Sequence, residues 1–165
     1  MNVDFFSRGF SDDISSGDLS RLVVDGIDYS LGMRGHNIAA FTMSGSPINQ
    51  AAFDTHGIQS SGTELTAFID DLPSNTLVLV AVYDNGHNYY HSAVDALITL
   101  GAVTPYGPVN HRGSLFLIGY KDHPRPSWVT QGYAQIGEGP SKGAARFLRK
   151  GCFPHGSQAE KWCNP

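Results

Sequence analysis

Few residues of this 165-residue chain stand where chemistry could be done, and Asp84 is the clearest of them. It follows the run Thr76-Leu-Val-Leu-Val-Ala-Val-Tyr83 and is followed by Asn85-Gly86. A carboxylate at the exit of a buried strand reaches the rim of its sheet, where open α/β sheets bind ligands. Arg112 stands just before the next strongly apolar run, Ser114 to Tyr120. On residue type alone, Asp84 and Arg112 read as an ion pair pinning two strand ends. His87 and His91 are four apart and would share a helix face, but no acidic third metal ligand follows at motif spacing. Cys152, His155 and Cys163 offer three zinc ligands without a fourth. There is no nucleophile elbow, phosphate loop or paired-carboxylate motif, so the residues point away from catalysis, and no cofactor or metal is expected.

The elements that must position Asp84 and Arg112 are readable from patterning. Seven of the eight residues from Thr76 to Tyr83 are apolar, with no polar alternation, so this strand is covered on both faces. Pro73 before it and Asn-Gly after it favour a strand over a helix. Before it, Phe5–Phe10 reads as a short edge strand. Leu22–Val24 enters an Asp25-Gly26 hairpin, whose dipeptide suits a type I′ turn. Asn37–Met43 and Ile48–Phe53 make a second hairpin around Ser44-Gly45-Ser46-Pro47. Leu65, Phe68, Ile69 and Leu72 fall at helical spacing behind Ser60 or Ser61, and Pro73 stops that helix. A second helix is expected over Tyr90–Leu100, ended by Gly101. Further on, Tyr133–Ile136 reads as a last strand and Ala144–Lys150 as a short basic helix. Helix, strand, helix and strand over Ser61–Tyr120 would fit a crossover unit. The expected class is α+β, mostly β: a compact β-sandwich of mixed sheets with two or three flanking helices.

Composition narrows the partners. Nineteen glycines and nine prolines fit a loop-rich, strand-rich fold rather than a helical bundle. The formal charge of −4 gives no reason to expect nucleic acid. No apolar run approaches the roughly 20 residues that span a bilayer. Asp4 and Arg8 interrupt the only early apolar cluster, so no signal peptide is visible. A mature secreted form, a cytosolic protein and a phage or virus component all remain open on these grounds.

One family has its motifs here. The chain resembles the interleukin-like inducer of epithelial–mesenchymal transition, or PANDER-type, domain, over about residues 5–125. The resemblance rests on Arg34-Gly35-x-Asn37-Ile38-Ala39, Phe53-Asp54-Thr55-His56-Gly57, Phe68-Ile69-x-x-Leu72-Pro73 and the strand ending at Asp84. It continues through Leu100-Gly101-Ala102 and Arg112-x-Ser114-x-Phe116-x-Ile118-Gly119-x-Lys121. The resemblance implies a β-sandwich flanked by helices, in secreted cytokine-like, cell-surface, glycan-processing, bacterial and phage proteins. In one similar domain, the stem of a glycosyltransferase that extends O-mannosyl glycans, β-linked N-acetylglucosamine is held by an aspartate and an arginine. Their motif positions carry Asp84 and Arg112 here. A carboxylate and a guanidinium can together grip vicinal hydroxyls through charge-assisted hydrogen bonds. Where the family commonly has Arg-Asp-Ser-Trp, this chain reads Arg112-Gly113-Ser114-Leu115, lacking the acid and the tryptophan. Around that rim, Asn85, Tyr89, Tyr90 and Tyr106 complete the candidate site, the tyrosines as stacking faces for a sugar or as ordinary wall residues.

The implied function is a non-catalytic, lectin-like domain recognising glycans of galactose or N-acetylglucosamine type, on a secreted protein or a phage-particle surface. The alternative is a secreted cytokine-like or protein-interaction domain without a sugar site. Residues 1–125 form the domain in this reading, and 126–165 a basic extension packed on it. Residues 141–165 carry five basic residues and one acidic residue, a net +4, which leaves −8 on residues 1–140. That tail reads as a solvated basic segment or as a dock for an acidic partner or a second copy of the chain. Cys152 and Cys163 lie in a stretch with little core of its own. A disulfide there is a local clip worth roughly 2–3 kcal/mol by loop closure. Denatured, unreduced protein is therefore expected to show no free thiol in a titration. Two free thiols would count against both the clip and an oxidising destination.

Overall fold

A computed structural model of the chain describes residues 1–13, 19–104, 106, 111–122 and 124–147. The Cys152–Cys163 pair, and with it most of the basic tail, lies outside the described residues. The fold is mostly β, 42% strand against 15% helix. Among the described residues nine strands run in chain order: β1 (Asn2–Gly9), β2 (Arg21–Val24), β3 (Ile27–Asp28), β4 (Gly35–Thr42), β5 (Pro47–Phe53), β6 (Thr76–Asp84), β7 (Ser114–Lys121), β8 (Thr130–Ala134) and β9 (Ser141–Arg146). Two helices, α1 (Ser61–Asp71) and α2 (Val94–Thr99), flank β6 in sequence, and a 3-10 turn over Tyr90–Ala93 leads into α2.

All nine strands belong to one hydrogen-bonded, mixed, open sheet rather than to separate sheets. Its path runs β3-β2-β1-β6-β4-β5, with β7 and β8 added beyond β6 and β9 on β1. β6 pairs antiparallel with β4 from Gly35↔Tyr83 to Thr42↔Thr76, and with β7 from Thr76↔Lys121 to Ala81↔Phe116. Because β6 and β7 are antiparallel, the segment from α1 to β7 is not a parallel crossover unit. Among the described strands the one parallel pairing joins β1 to β6, at Arg8↔Tyr83 and Gly9↔Asp84.

β6 is buried on both faces from Thr76 to Val82, as its unbroken apolar run requires. On one face, Val78, Val80 and Val82 meet Leu65 and Ile69 of α1 and Leu97 of α2. On the other, Leu77, Leu79 and Ala81 meet Val3 and Phe5 of β1, Leu22 and Val24 of β2, and Phe116 of β7. The two hairpins form as read. Asp25 (φ +49°) and Gly26 (φ +84°) both occupy the left-handed region that a type I′ turn demands. α1 ends at Leu72, whose extended backbone (φ −68°, ψ 139°) is the conformation that a following proline enforces.

Three further expectations need correction. β1 is not an edge: it lies between β2 and β9, in register with Arg21–Val24 on one side and Ser141–Arg146 on the other. Residues Ala144–Arg146 are strand rather than helix, because β9 supplies the backbone partners that β1 would otherwise lack. The late strand on β7 is Thr130–Ala134, earlier than the Tyr133–Ile136 that apolar residues marked, and Tyr133 and Ile136 are exposed.

β1 and β6 meet over a bed of small buried polar groups. The Val82 carbonyl accepts the hydroxyls of Ser7 (2.6 Å) and Ser20 (2.7 Å), while Ser7 Oγ accepts the Leu115 N–H (2.8 Å). Asp12 accepts the N–H groups of Gly9 (2.8 Å) and Gly139 (3.0 Å). At this seam any Cβ on Gly9 would run into the Arg112 carbonyl oxygen, so β1 and the turn before β7 touch through bare backbone. Gly9→Ala is therefore expected to cost about 1–3 kcal/mol, measured as a lower denaturant midpoint. The same substitution should move the Arg112 turn, measured as amide chemical-shift changes at residues 111–114.

Candidate functional site

The site forms because two chain segments leave the sheet side by side. Asp84 ends β6 and Arg112 precedes β7, and both hold left-handed backbone, φ +62° and +68°. A residue with a side chain pays roughly 1 kcal/mol for that conformation, so something must hold it. Asn85 does so. Its buried side-chain oxygen accepts the backbone N–H groups of His87 (3.2 Å) and Arg112 (3.3 Å), tying the exit of one strand to the approach of the other. The Asp84 carbonyl accepts the Phe10 N–H at 2.8 Å, which brings the end of β1 to the same place. The Arg112 guanidinium then lies over the Phe10 ring, 4.3 Å from its centroid.

A pocket of about 130 Å³ opens between these segments, lined by Phe10, Arg34, His56, Asp84, Asn85 and Arg112. Arg34 is held by a two-pronged pair with Asp54, Nε to Oδ1 at 2.9 Å and Nη2 to Oδ2 at 2.6 Å. The bond to Arg34 holds the Asp54 carboxyl below its ordinary pKa, with the Gly57 N–H (2.9 Å) assisting and burial opposing. Asp54 in turn raises the Arg34 pKa, and Asp84 adds a smaller electrostatic contribution. By contrast, the Asp84 carboxylate and the Arg112 guanidinium make no hydrogen bond or ion pair with any described residue. The ion pair that residue type alone implied is not there. Instead, a carboxylate free of hydrogen bonds and a guanidinium stacked on a ring line one concavity.

Behind the pocket, His36 is fully buried on β4. Its Nδ1 lies 2.7 Å from Thr55 Oγ1, and the Thr55 hydroxyl donates to the Gly86 carbonyl at 3.1 Å. With its one hydrogen committed to Gly86, the hydroxyl must accept from His36, so the ring proton sits on Nδ1. Burial pushes the His36 pKa down to about 4. Tyr90 and Tyr106 pack on this ring, with centroids 6.3 and 6.2 Å from it, and burial pushes both phenols up.

Of the sequence-level candidates, Asp84, Asn85 and Arg112 come together at the pocket. Tyr90 and Tyr106 are buried in the core under the helices and offer no face to it. Tyr89 is exposed but lines a neighbouring hollow. His87 and His91 lie 6.2 Å apart by ring centroid, and no group of three metal-ligating side chains occurs among the described residues. Sequence reasoning missed Arg34 and His56 as pocket walls and His36 as the buried support. The signal for Arg34 was its motif: Gly35, at φ +97°, turns the chain where a Cβ would strike the Phe53 carbonyl.

A family model for interleukin-like EMT inducers matches residues 34–123, just over half of the chain. The chain belongs to the interleukin-like EMT inducer family. The matched segment holds every inducer-family residue of the pocket, and Phe10 alone comes from outside it. No curated protein matches the chain.

Burial of neutral His36 sets a pH dependence. Above about pH 6.5 the histidine is neutral in both folded and unfolded chains and contributes no slope. As pH falls from 6.5 toward 4 the unfolded chain takes up a proton that the folded chain refuses, so stability falls, by up to about 3 kcal/mol. Denaturant unfolding across that window is expected to show the loss, with a shallower slope in His36→Gln.

Proposed function

We propose that this chain is a non-catalytic, lectin-like domain whose rim pocket holds one sugar unit of a glycan. The observation that carries the reading is that Asp84 and Arg112 face one pocket while their charged groups make no hydrogen bond or ion pair with any described residue. Two charged groups kept in left-handed backbone and left unpaired are costly to the fold and useful to a ligand. Asp84 would accept a pair of vicinal hydroxyls, Arg112 would donate to ring or acetamido oxygens, and Phe10 would hold the guanidinium plane in place. The pocket is smaller than those that enclose drug-sized ligands, which fits recognition of a single unit at a wet rim. Galactose and N-acetylglucosamine types are the first candidates.

Binding is favoured over hydrolysis by the carboxylates. Glycosidases need two carboxyl groups flanking the bond, and here Asp54 is committed to Arg34 and the Gly57 N–H. No helix among the described residues is long and apolar enough to cross a membrane. We place the domain outside cells or on a particle surface, where glycans are met. We also treat the described residues as one unit, since β8 and β9 pair with β7 and β1.

A glycan array with the purified domain, followed by calorimetry on Arg112 and Asp84 variants, tests the reading. Arg112→Ala is expected to abolish binding, a loss of about 1.5–3 kcal/mol against a single-sugar affinity near −4 kcal/mol. Arg112→Lys should restore little, because an ammonium lacks the planar fork. Arg112→Gly should also lose binding yet unfold about 1 kcal/mol later than Arg112→Ala, since glycine accepts φ +68° without strain. Binding that survives Arg112→Ala and Asp84→Ala alike would overturn the assignment.

A further inference from the structure

A larger hollow borders the rim pocket and has no part in the reading above. It measures about 700 Å³ and opens where the loop after β5 meets the loop after β6. Gln59, Ser60, Thr63, Asn88, Tyr89 and Ser92 line it together with Ile58 and His91, all of them exposed. No Lys, Arg, Asp or Glu is in its wall. The side chains of Gln59, Ser60, Thr63, Tyr89 and Ser92 make no hydrogen bond to any described residue, and Ser60 precedes α1 without capping it. Their donors and acceptors are therefore unengaged. Tyr89 is 38% exposed while its backbone is fixed by an N–H donated to the Thr55 carbonyl at 2.6 Å. The backbone that carries the exposed ring is thus held in place.

This lining selects a chemical class. Without Lys, Arg, Asp or Glu, it offers little to phosphate, to nucleic acid or to a charged peptide. Neutral amides and hydroxyls give up water at less cost than ions do, and they can pair with hydroxyls in any of several orientations. An aromatic face beside them suits the C–H face of a pyranose ring. An uncharged polyhydroxylated ligand meets every one of these features.

The hollow is also next door to the rim pocket. Asn88, in its wall, donates through Nδ2 to the His56 carbonyl at 3.0 Å, and His56 lines the rim pocket. A glycan extending from the rim pocket on the His56 side would reach Asn88 and Tyr89. We infer that the hollow is a second saccharide subsite, taking the neutral sugar units that follow the one held by Asp84 and Arg112. The inference rests on the rim reading, because the glycan is anchored there.

Calorimetric titration with two matched pairs, N-acetylglucosamine with chitotetraose and galactose with β-galactotetraose, tests it on the whole chain. For one pair the tetrasaccharide is expected to bind at least about tenfold more tightly than its monosaccharide. Tyr89→Ala and Gln59→Ala, both at exposed positions, should each remove most of that ratio, and amide shifts on titration should extend to residues 88–92. If a monosaccharide binds and is lost in Arg112→Ala, but its tetrasaccharide binds no better, the second subsite fails and the rim pocket stands. A ratio that survives both groove variants also overturns the subsite. Binding of none of the four sugars removes the rim reading and the subsite together.

Discussion

A strand without polar alternation has to be covered twice, and the cover for β6 accounts for most of this molecule. One face takes the two helices and the other takes β1 and β2, while β4 and β7 occupy its two edges. With its faces and edges occupied, β6 can reach solvent only at its ends. Asp84 is where it does so. The pocket therefore lies where it does because the core leaves the central strand no other exit, and the same rule places Arg112 at the adjoining end of antiparallel β7.

Once the exit is fixed, the remaining difficulty is holding two strained residues with open side chains. Polar contacts, most of them buried, carry that load. Asn85 bridges the loops at residues 87 and 112, while Thr55 ties His36 to the Gly86 carbonyl. The Arg34–Asp54 pair closes the far wall. None of these groups has to touch a ligand in order to matter, since each fixes the backbone on which Asp84 and Arg112 stand. A buried group left unpaired costs about 1–3 kcal/mol, so such a frame resists partial loosening.

What was legible in the sequence follows from this division. Double-sided strands, Asp-Gly turns and a proline stop are local features, and β6, β7, both hairpins and α1 could be read from them. β1 was harder, because its inward positions alternate Val3, Phe5, Ser7 and Gly9, and the last two hide a seam behind small or polar residues. β9 reads as a helix by propensity. What decides it is tertiary: β1 needs a partner, and Gly143 leaves room for the Phe116 ring close against the strand. The motif residues Arg34, Gly35 and Asp54 carried a family resemblance without declaring their task. Their pairing spans 20 residues of chain, and no local pattern encodes it. Tyr90 and Tyr106 were ambiguous for a plainer reason, since an aromatic near a rim can face either way.

The seam between first and last strands has one more consequence. Val3 pairs with Ala145, and the N-terminal ammonium donates to the Phe147 carbonyl at 2.9 Å. During synthesis the opening strand must therefore wait, with one edge bare, until almost all of the described fold has been made. Contacts of such long reach slow folding, because the intervening chain must be ordered before they form. An unpaired edge that persists is a template for neighbouring chains. Asp4, exposed in the stretch that β9 later covers, is the kind of edge charge that discourages a wrong partner in that interval.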